Sequence, residues 1–125
     1  MKILLDTCVY IWCLADDKRL TQQIRNCICD AESVYVSIIS FWEIAIKSQL
    51  GKLKANIPKM ITEIEPSGFS ALPLKYEHIV QLNQLPMHHK DPFDRMLLAQ
   101  ALCEPLQFLT VDDQLAQYSE LVRVV

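Results

Sequence analysis

Four acidic residues stand where predicted strands end or where the following helices begin. Asp6 directly follows an apolar strand, Asp112 follows another strand after Val111, and Glu43 and Asp94 fall in the first turns of predicted helices. In a parallel α/β sheet these positions share one edge, so we expect the four side chains to converge. Carboxylate oxygens suit Mg²⁺ or Mn²⁺ better than zinc. The pattern therefore predicts metal-assisted hydrolysis of a phosphodiester.

The elements that would position these acids alternate along the chain. Strands are predicted over 2–5, 33–37, 69–74, 107–110 and 121–125. Helices are predicted over 7–14, 21–29, 38–50, 57–64, 75–85, 91–103 and 112–119. Such alternation is typical of right-handed βαβ units, with a parallel sheet covered by helices on both faces. We expect an α/β fold, a three-layer α/β/α sandwich with a mostly parallel sheet of about five strands, in one domain spanning residues 1–125.

Helix capping is an alternative explanation for each acid taken alone. Ser40 and Glu43 match the S-x-x-E capping box, and Glu43 could instead pair with Lys47 one turn later. Other capping candidates are Asp6 for the first helix, Asp91 and Asp94 around Pro92, and Asp112 or Thr110 for the last helix. Capping does not explain convergence, because two carboxylates ~4 Å apart repel by ~1–4 kcal/mol unless a cation or a proton intervenes.

Composition narrows the function classes. The net charge is −3 and the pI is about 5.5, which argues against binding nucleic acid through a broad basic surface. The longest unbroken apolar run is short of a membrane span, and the first residues contain no signal-peptide core, so we expect a cytoplasmic protein without a membrane partner. The five cysteines form no C-x-x-C pair, and we expect reduced, mostly buried thiols.

Four sequence blocks follow the order of a known family over nearly the whole chain. They are K-I-L-L-D-T at 2–7, S-F-W-E-I at 40–44, D-P-F-D-R-M-L-L-A-Q-A at 91–101 and L-T-V-D at 109–112. On these blocks the chain resembles PIN-domain proteins, in particular the toxin component of VapBC-type toxin–antitoxin pairs.

The resemblance implies a Mg²⁺- or Mn²⁺-dependent endoribonuclease whose acidic positions fall on Asp6, Glu43, Asp94 and Asp112. Asp6, Asp94 and Asp112 would bind the metal directly or through water. Glu43 would complete the metal shell or orient the attacking water. Thr110 matches a supporting hydroxyl. The implied partners are an RNA substrate, a cognate antitoxin and a second copy of the chain in a homodimer.

Several other residues have both a functional and a structural interpretation. Arg95 could hold an acid or touch substrate. Adjacent histidines are poor chelators of one ion, so 88–90 (His-His-Lys) is expected to be a polar loop. Trp12, Ile24 and Ile28 could line a groove for an antitoxin helix or pack in the core, and Phe41 and Trp42 could be core or partner-facing. The basic stretch could contact RNA phosphates or be a solvated face, and comprises Lys47, Lys52, Lys54 and Lys59.

Three other classes compete with a nuclease. A non-catalytic PIN-like module that binds RNA or protein would share the fold, but the intact acid set argues against it. A phosphoacceptor receiver domain needs an acidic pair after the first strand and an acceptor Asp after the third, where this chain has a lone Asp6 and then Pro73-Leu74-Lys75. A haloacid-dehalogenase-type phosphatase needs Asp-x-Asp where Asp6-Thr7-Cys8 stands.

Overall fold

A parallel sheet of five strands runs through the middle of the protein. A computed structural model describes all residues, 1–125. The strands are β1 (Lys2–Leu5), β2 (Ser33–Ser37), β3 (Ser70–Leu72), β4 (Gln107–Thr110) and β5 (Val122–Val124). Their order is β3-β2-β1-β4-β5, and every neighbouring pair is parallel. The predicted α/β fold with a five-stranded sheet is confirmed.

Six α-helices and one 3₁₀ helix connect these strands. They are α1 (Thr7–Ala15), α2 (Gln22–Asp30), α3 (Ile38–Gln49), α4 (Ile57–Thr62), α5 (Tyr76–Gln84), α6 (Pro92–Cys103) and the 3₁₀ helix (Asp113–Tyr118). None of the helices combines the length and the apolar character that crossing a lipid bilayer requires.

Local chemistry explains where the two helices that carry acids begin. The Ser37 hydroxyl accepts the Ile39 amide hydrogen and caps α3, while Asp91 accepts hydrogen bonds from the amides of Phe93 and Asp94 and caps α6. Pro92 suits the first position of α6, because its missing N–H would have no partner there.

Two apolar clusters lie on opposite faces of the sheet. Ile3 and Leu5 of β1 face the cluster that includes α1 and α2, whereas Leu4 faces the cluster built mainly by α6. Helix α3 joins both, because Ile39 lies in the second cluster and Phe41 in the first. With apolar side chains buried on both faces, β1 is the centre of the sheet and holds Asp6 at its carboxyl end.

Some sequence-based expectations about the fold are wrong in detail. Strand β3 is only three residues long, because Pro73 follows it and has no amide hydrogen for the ladder. Helix α4 ends at Thr62, and Ile64 packs in the core from the turn that follows. Trp12 and Ile24 are buried in the first cluster, so they do not line an open groove.

The cysteines are less buried than expected. All five are free thiols, but Cys27 alone is buried and Cys29 is exposed. The difference follows from the helical period of α2, which turns Ile24 and Cys27 inward and leaves Cys29 on the solvent side.

Candidate metal centre

Asp6 and Thr110 form the centre of the site, at the carboxyl ends of β1 and β4. The Thr110 hydroxyl donates to Oδ2 of Asp6 over 2.6 Å and accepts the Asp112 amide hydrogen over 3.1 Å. Asp6 occupies the N-cap position of α1 without a side-chain capping hydrogen bond, so capping does not explain it. Burial raises the pKa of Asp6, and the charge of Glu43 adds to this shift. The hydrogen bond from the Thr110 hydroxyl acts in the opposite direction, but its effect is smaller than that of burial.

Glu43 is buried, and one of its carboxylate oxygens has no partner. Lys47 donates to Oε2 over 2.7 Å, one turn along α3. Oε1 is buried and accepts no hydrogen bond. The capping-box alternative is wrong, because Ser37 caps α3, and Ser40 lies inside the helix, where its hydroxyl is 2.8 Å from the Thr7 hydroxyl. The pairing of Glu43 with Lys47 does form, and it leaves Oε1 free.

Asp94 lies in the first turn of α6 and feels the other acids. Burial, followed by the charges of Asp6, Asp91 and Glu43, raises the pKa of Asp94 to about 7. Asp91, rather than Asp94, accepts the capping hydrogen bonds. Asp94 therefore lies close to other acidic residues, and no group donates a hydrogen bond to its carboxylate.

His89 is a member of the site that the sequence-based reasoning missed. Its Nε2 lies 2.8 Å from Oδ2 of Asp112 and 3.7 Å from Oδ2 of Asp94. One potential ligand atom from each of these three residues lies within 4.8 Å of the others. The segment 88–90 is a loop as predicted, and His89 turns from this loop towards the acids. The Asp91 amide donates to His89 Nδ1, a contact that no sequence pattern in this loop indicates.

Arg95 follows Asp94 in sequence but faces away from the carboxylates. Its buried guanidinium donates to the carbonyl oxygens of Leu85 and Pro86 and to the Tyr118 hydroxyl oxygen. Arg95 therefore does not hold an acid, because its side chain supports the loop that carries His89. Its contact with substrate stays a prediction.

The remaining basic and aromatic candidates divide between the site, the core and the surface. Lys47 is in the site through Glu43, whereas Lys52, Lys54 and Lys59 are exposed outside it. Phe41 is in the core, and Trp42 is 59% exposed, with its ring edge-on to Phe93. Asp113 is exposed, and Asp112 is the acid that faces His89.

The donor set fits a divalent cation. Burial is the main cause of the raised pKa values of Asp6 and Asp94, and the charge of Glu43 contributes to both shifts. A cation would relieve this repulsion, and Glu43 Oε1 offers it a buried oxygen that nothing else uses. Hard carboxylate oxygens favour Mg²⁺ or Mn²⁺.

Comparison with known proteins places this arrangement in a family. The model of the PIN domain matches residues 3–121. The chain belongs to the PIN-domain family. A search of curated protein sequences found no match.

Solved structures share the PIN fold at low sequence identity. The matches include VapBC2 from Rickettsia felis bound to a DNA fragment from its promoter (TM-score 0.70, 12% identity, covering 100% of this chain and 98% of that one). DNA-bound VapBC from Salmonella typhimurium also matches, with a TM-score of 0.71 and 17% identity, covering 100% of this chain and 97% of that one. A third match is a toxin–antitoxin complex from Klebsiella pneumoniae, with a TM-score of 0.68 and 18% identity, covering 98% of this chain and 96% of that one. At these identities the likeness shows the fold.

Proposed function

We propose that this PIN-domain protein is an endoribonuclease that depends on Mg²⁺ or Mn²⁺ and acts as the toxin of a type II toxin–antitoxin pair. Asp6, Glu43, Asp94 and Asp112 are the proposed metal and catalytic residues. The observation that carries the proposal is Oε1 of Glu43, an oxygen that is buried without a hydrogen-bond donor. Leaving such an atom unpaired costs roughly 1–3 kcal/mol, a cost that a bound cation would remove.

The electrostatics of the neighbouring acids support the same proposal. Burial is the main cause of the raised pKa values of Asp6 and Asp94, and the charges of the neighbouring acids add to it, so ionising these carboxyls together without a cation is unfavourable. Cations and protons are alternative ways to neutralise such a cluster. A divalent ion would therefore bind in competition with protons, and more tightly as the pH rises.

The residues would divide the work of hydrolysis. When bound, Mg²⁺ or Mn²⁺ would lower the pKa of a water molecule and neutralise charge on the scissile phosphate. Thr110 holds Asp6 in one rotamer through Oδ2. Lys47 holds Oε2 of Glu43, so Oε1 is the atom free to complete the metal shell or to orient the attacking water.

An antitoxin is the proposed protein partner, and the structural relatives solved as VapBC or toxin–antitoxin complexes support it. An open apolar groove of about 280 Å³ is the proposed place for an amphipathic antitoxin helix. It lies between α1, α3 and the segment leading into α4, and its lining includes Ile11, Leu14, Ile44, Leu53 and Met60. This groove differs from the predicted groove around Trp12 and Ile24, which are buried in the core.

A cytoplasmic location, a homodimer and a single domain over 1–125 remain predictions.

Calorimetric titration of Mn²⁺ into the purified chain tests the proposal. We expect binding by the wild type and by a control, Asp113→Asn, which removes an exposed acid beside the site, and no binding by Asp94→Asn. The wild type should then cleave RNA, and not single-stranded DNA of the same sequence, only with the metal present. A folded wild type that binds no Mn²⁺ would contradict the proposal. Metal binding without cleavage of any RNA tried would favour the non-catalytic binding module.

A further inference from the structure

His89 has hydrogen bonds at both ring nitrogens and at its backbone. Nδ1 lies 3.1 Å from the amide nitrogen of Asp91, and Nε2 lies 2.8 Å from Oδ2 of Asp112. Its backbone amide donates to the Tyr118 hydroxyl oxygen over 2.7 Å. The side chain is 12% exposed. The ring is therefore held in one orientation by groups from both sides of the site.

These contacts determine which nitrogen carries the hydrogen. The Asp91 amide can only donate, so Nδ1 accepts and carries no hydrogen. Nε2 then carries the hydrogen, which matches its contact with a carboxylate oxygen. Neither nitrogen has a lone pair free for a metal: that of Nδ1 is used by Asp91, and Nε2 has none in this tautomer.

We propose that His89 is a positioning residue that donates Nε2–H to Oδ2 of Asp112 and, together with the Gln114 amide that donates to Oδ1, fixes this carboxylate at the site, and that His89 is not itself a metal ligand. The inference rests on the proposed function, since it assumes that Asp112 binds the metal. Metal-binding carboxylates are commonly oriented by such hydrogen bonds, and losing one typically weakens metal affinity. The Asp91 amide, at the cap of α6, fixes the tautomer of His89. Hydrogen bonds through the His89 ring therefore connect the start of α6 to Asp112.

Mn²⁺ affinities of four chains test the inference, measured by calorimetry. We expect His89→Ala to bind about 10-fold or more weakly than the wild type, within the range typical of lost supporting hydrogen bonds. His89→Gln should recover most of the affinity, because its side-chain amide can donate to Asp112. His88→Phe is the matched control, since it removes the neighbouring exposed imidazole and keeps an aromatic ring against Tyr118, and it should bind as the wild type does.

NMR distinguishes positioning from ligation without relying on activity. Two-bond ¹H–¹⁵N correlations should show the Nε2–H tautomer of His89 both without metal and at saturating Mg²⁺, with His89→Gln identifying the signals. A switch to Nδ1–H on adding Mg²⁺ would show ligation through Nε2 and would overturn the inference. This measurement also decides the question if His89→Ala does not fold.

The outcomes separate this inference from the proposed function. A wild type that binds no Mn²⁺ would overturn the metal site and the inference with it. Equal Mn²⁺ affinity of the wild type and a folded His89→Ala would overturn the inference alone. Weak binding by His89→Gln, equal to that of His89→Ala, would also count against it.

Discussion

The hydroxyl of Thr110 donates to Oδ2 of Asp6 across 2.6 Å, although 104 residues separate the two along the chain. The same hydroxyl oxygen accepts the Asp112 amide hydrogen. One uncharged side chain thus links the carboxylate of the acid after β1 to the backbone of the acid after β4. The spacing in L-T-V-D at 109–112 has a physical reason, because it lets Thr110 serve two carboxylate-bearing residues at once.

Replacing Thr110 tests this link. Thr110→Val keeps the shape but leaves the Asp112 amide and Asp6 Oδ2 without this partner. We expect the unfolding free energy to fall by about 1–2 kcal/mol and Mn²⁺ binding to weaken. Thr110→Ser retains the hydroxyl and should bind Mn²⁺ more tightly than Thr110→Val. Urea unfolding and calorimetry measure both effects, and equal Mn²⁺ affinity of the two variants would contradict the role.

The metal-free chain should become less stable as the pH rises from about 4 to about 7. The folded state keeps a proton on Asp94 up to about pH 7, whereas the ordinary pKa is 3.8. The folded state therefore binds more protons than the unfolded state in this window, so the unfolding free energy falls with rising pH. At about 1.4 kcal/mol per pKa unit, reduced by solvent screening of the partly exposed carboxyl, we expect a loss of roughly 2 kcal/mol.

Urea unfolding across this pH range in the presence of a chelator measures that loss. Asp94→Asn should remove most of the slope, Asp113→Asn should not, and saturating Mg²⁺ should reduce the slope by binding the folded state. Stability that stays level between pH 4 and pH 7 in the metal-free wild type would refute the prediction.

Lys47→Met should destabilise the metal-free chain. The substitution leaves Glu43 without its only hydrogen-bond donor while the carboxylate remains buried. Because Lys47 is itself 46% exposed, we expect a loss of about 1–2 kcal/mol, less than for a fully buried pair. Excess Mn²⁺ should shrink the deficit by neutralising Glu43, and Lys47→Arg should lose less. Thermal unfolding with and without Mn²⁺ checks this, and a deficit that Mn²⁺ does not change would argue against Glu43 as a ligand.

Tyr118→Phe should loosen the loop that carries His89. The Tyr118 oxygen accepts hydrogen bonds from the His89 amide and from Arg95, and a phenylalanine ring cannot replace them. We expect the unfolding free energy to fall by about 1–2 kcal/mol. Tyr76→Phe removes a hydroxyl from a residue that is 87% exposed and should have little effect. Amide hydrogen exchange at His89 would report the loosening, and unchanged protection would contradict it.

Regular periodicity explains how much of the fold could be predicted from the sequence. Strand β1 has the same bounds as its prediction, and α6 begins at Pro92 after the cap Asp91 and ends at Cys103, because capping and apolar spacing are local signals. The same logic placed the four acids at one edge of the sheet, since a parallel topology determines where strand ends lie. Their assignment as ligands remains a proposal.

Side-chain direction outside regular elements could not be predicted in the same way. The loop before α6 has no period, so nothing local shows that His89 turns towards Asp112 while His88 is exposed. Arg95 was equally ambiguous, because its partners are backbone carbonyls of the same loop. A spacing rule also suggested a capping box at Ser40, but Ser37 lies one turn earlier and takes that place.

The central position of β1 sets an order of events during translation. β1 is made first, but its neighbour β4 is made about a hundred residues later, and Asp6 meets Thr110 only when β4 docks. A nascent chain that has not yet emerged beyond residue 107 lacks Thr110 and Asp112. Under the proposed function, the metal site would stay incomplete while the ribosome synthesises most of the chain, and the groove between α1, α3 and the approach to α4 would form before β4 supplies Thr110 and Asp112.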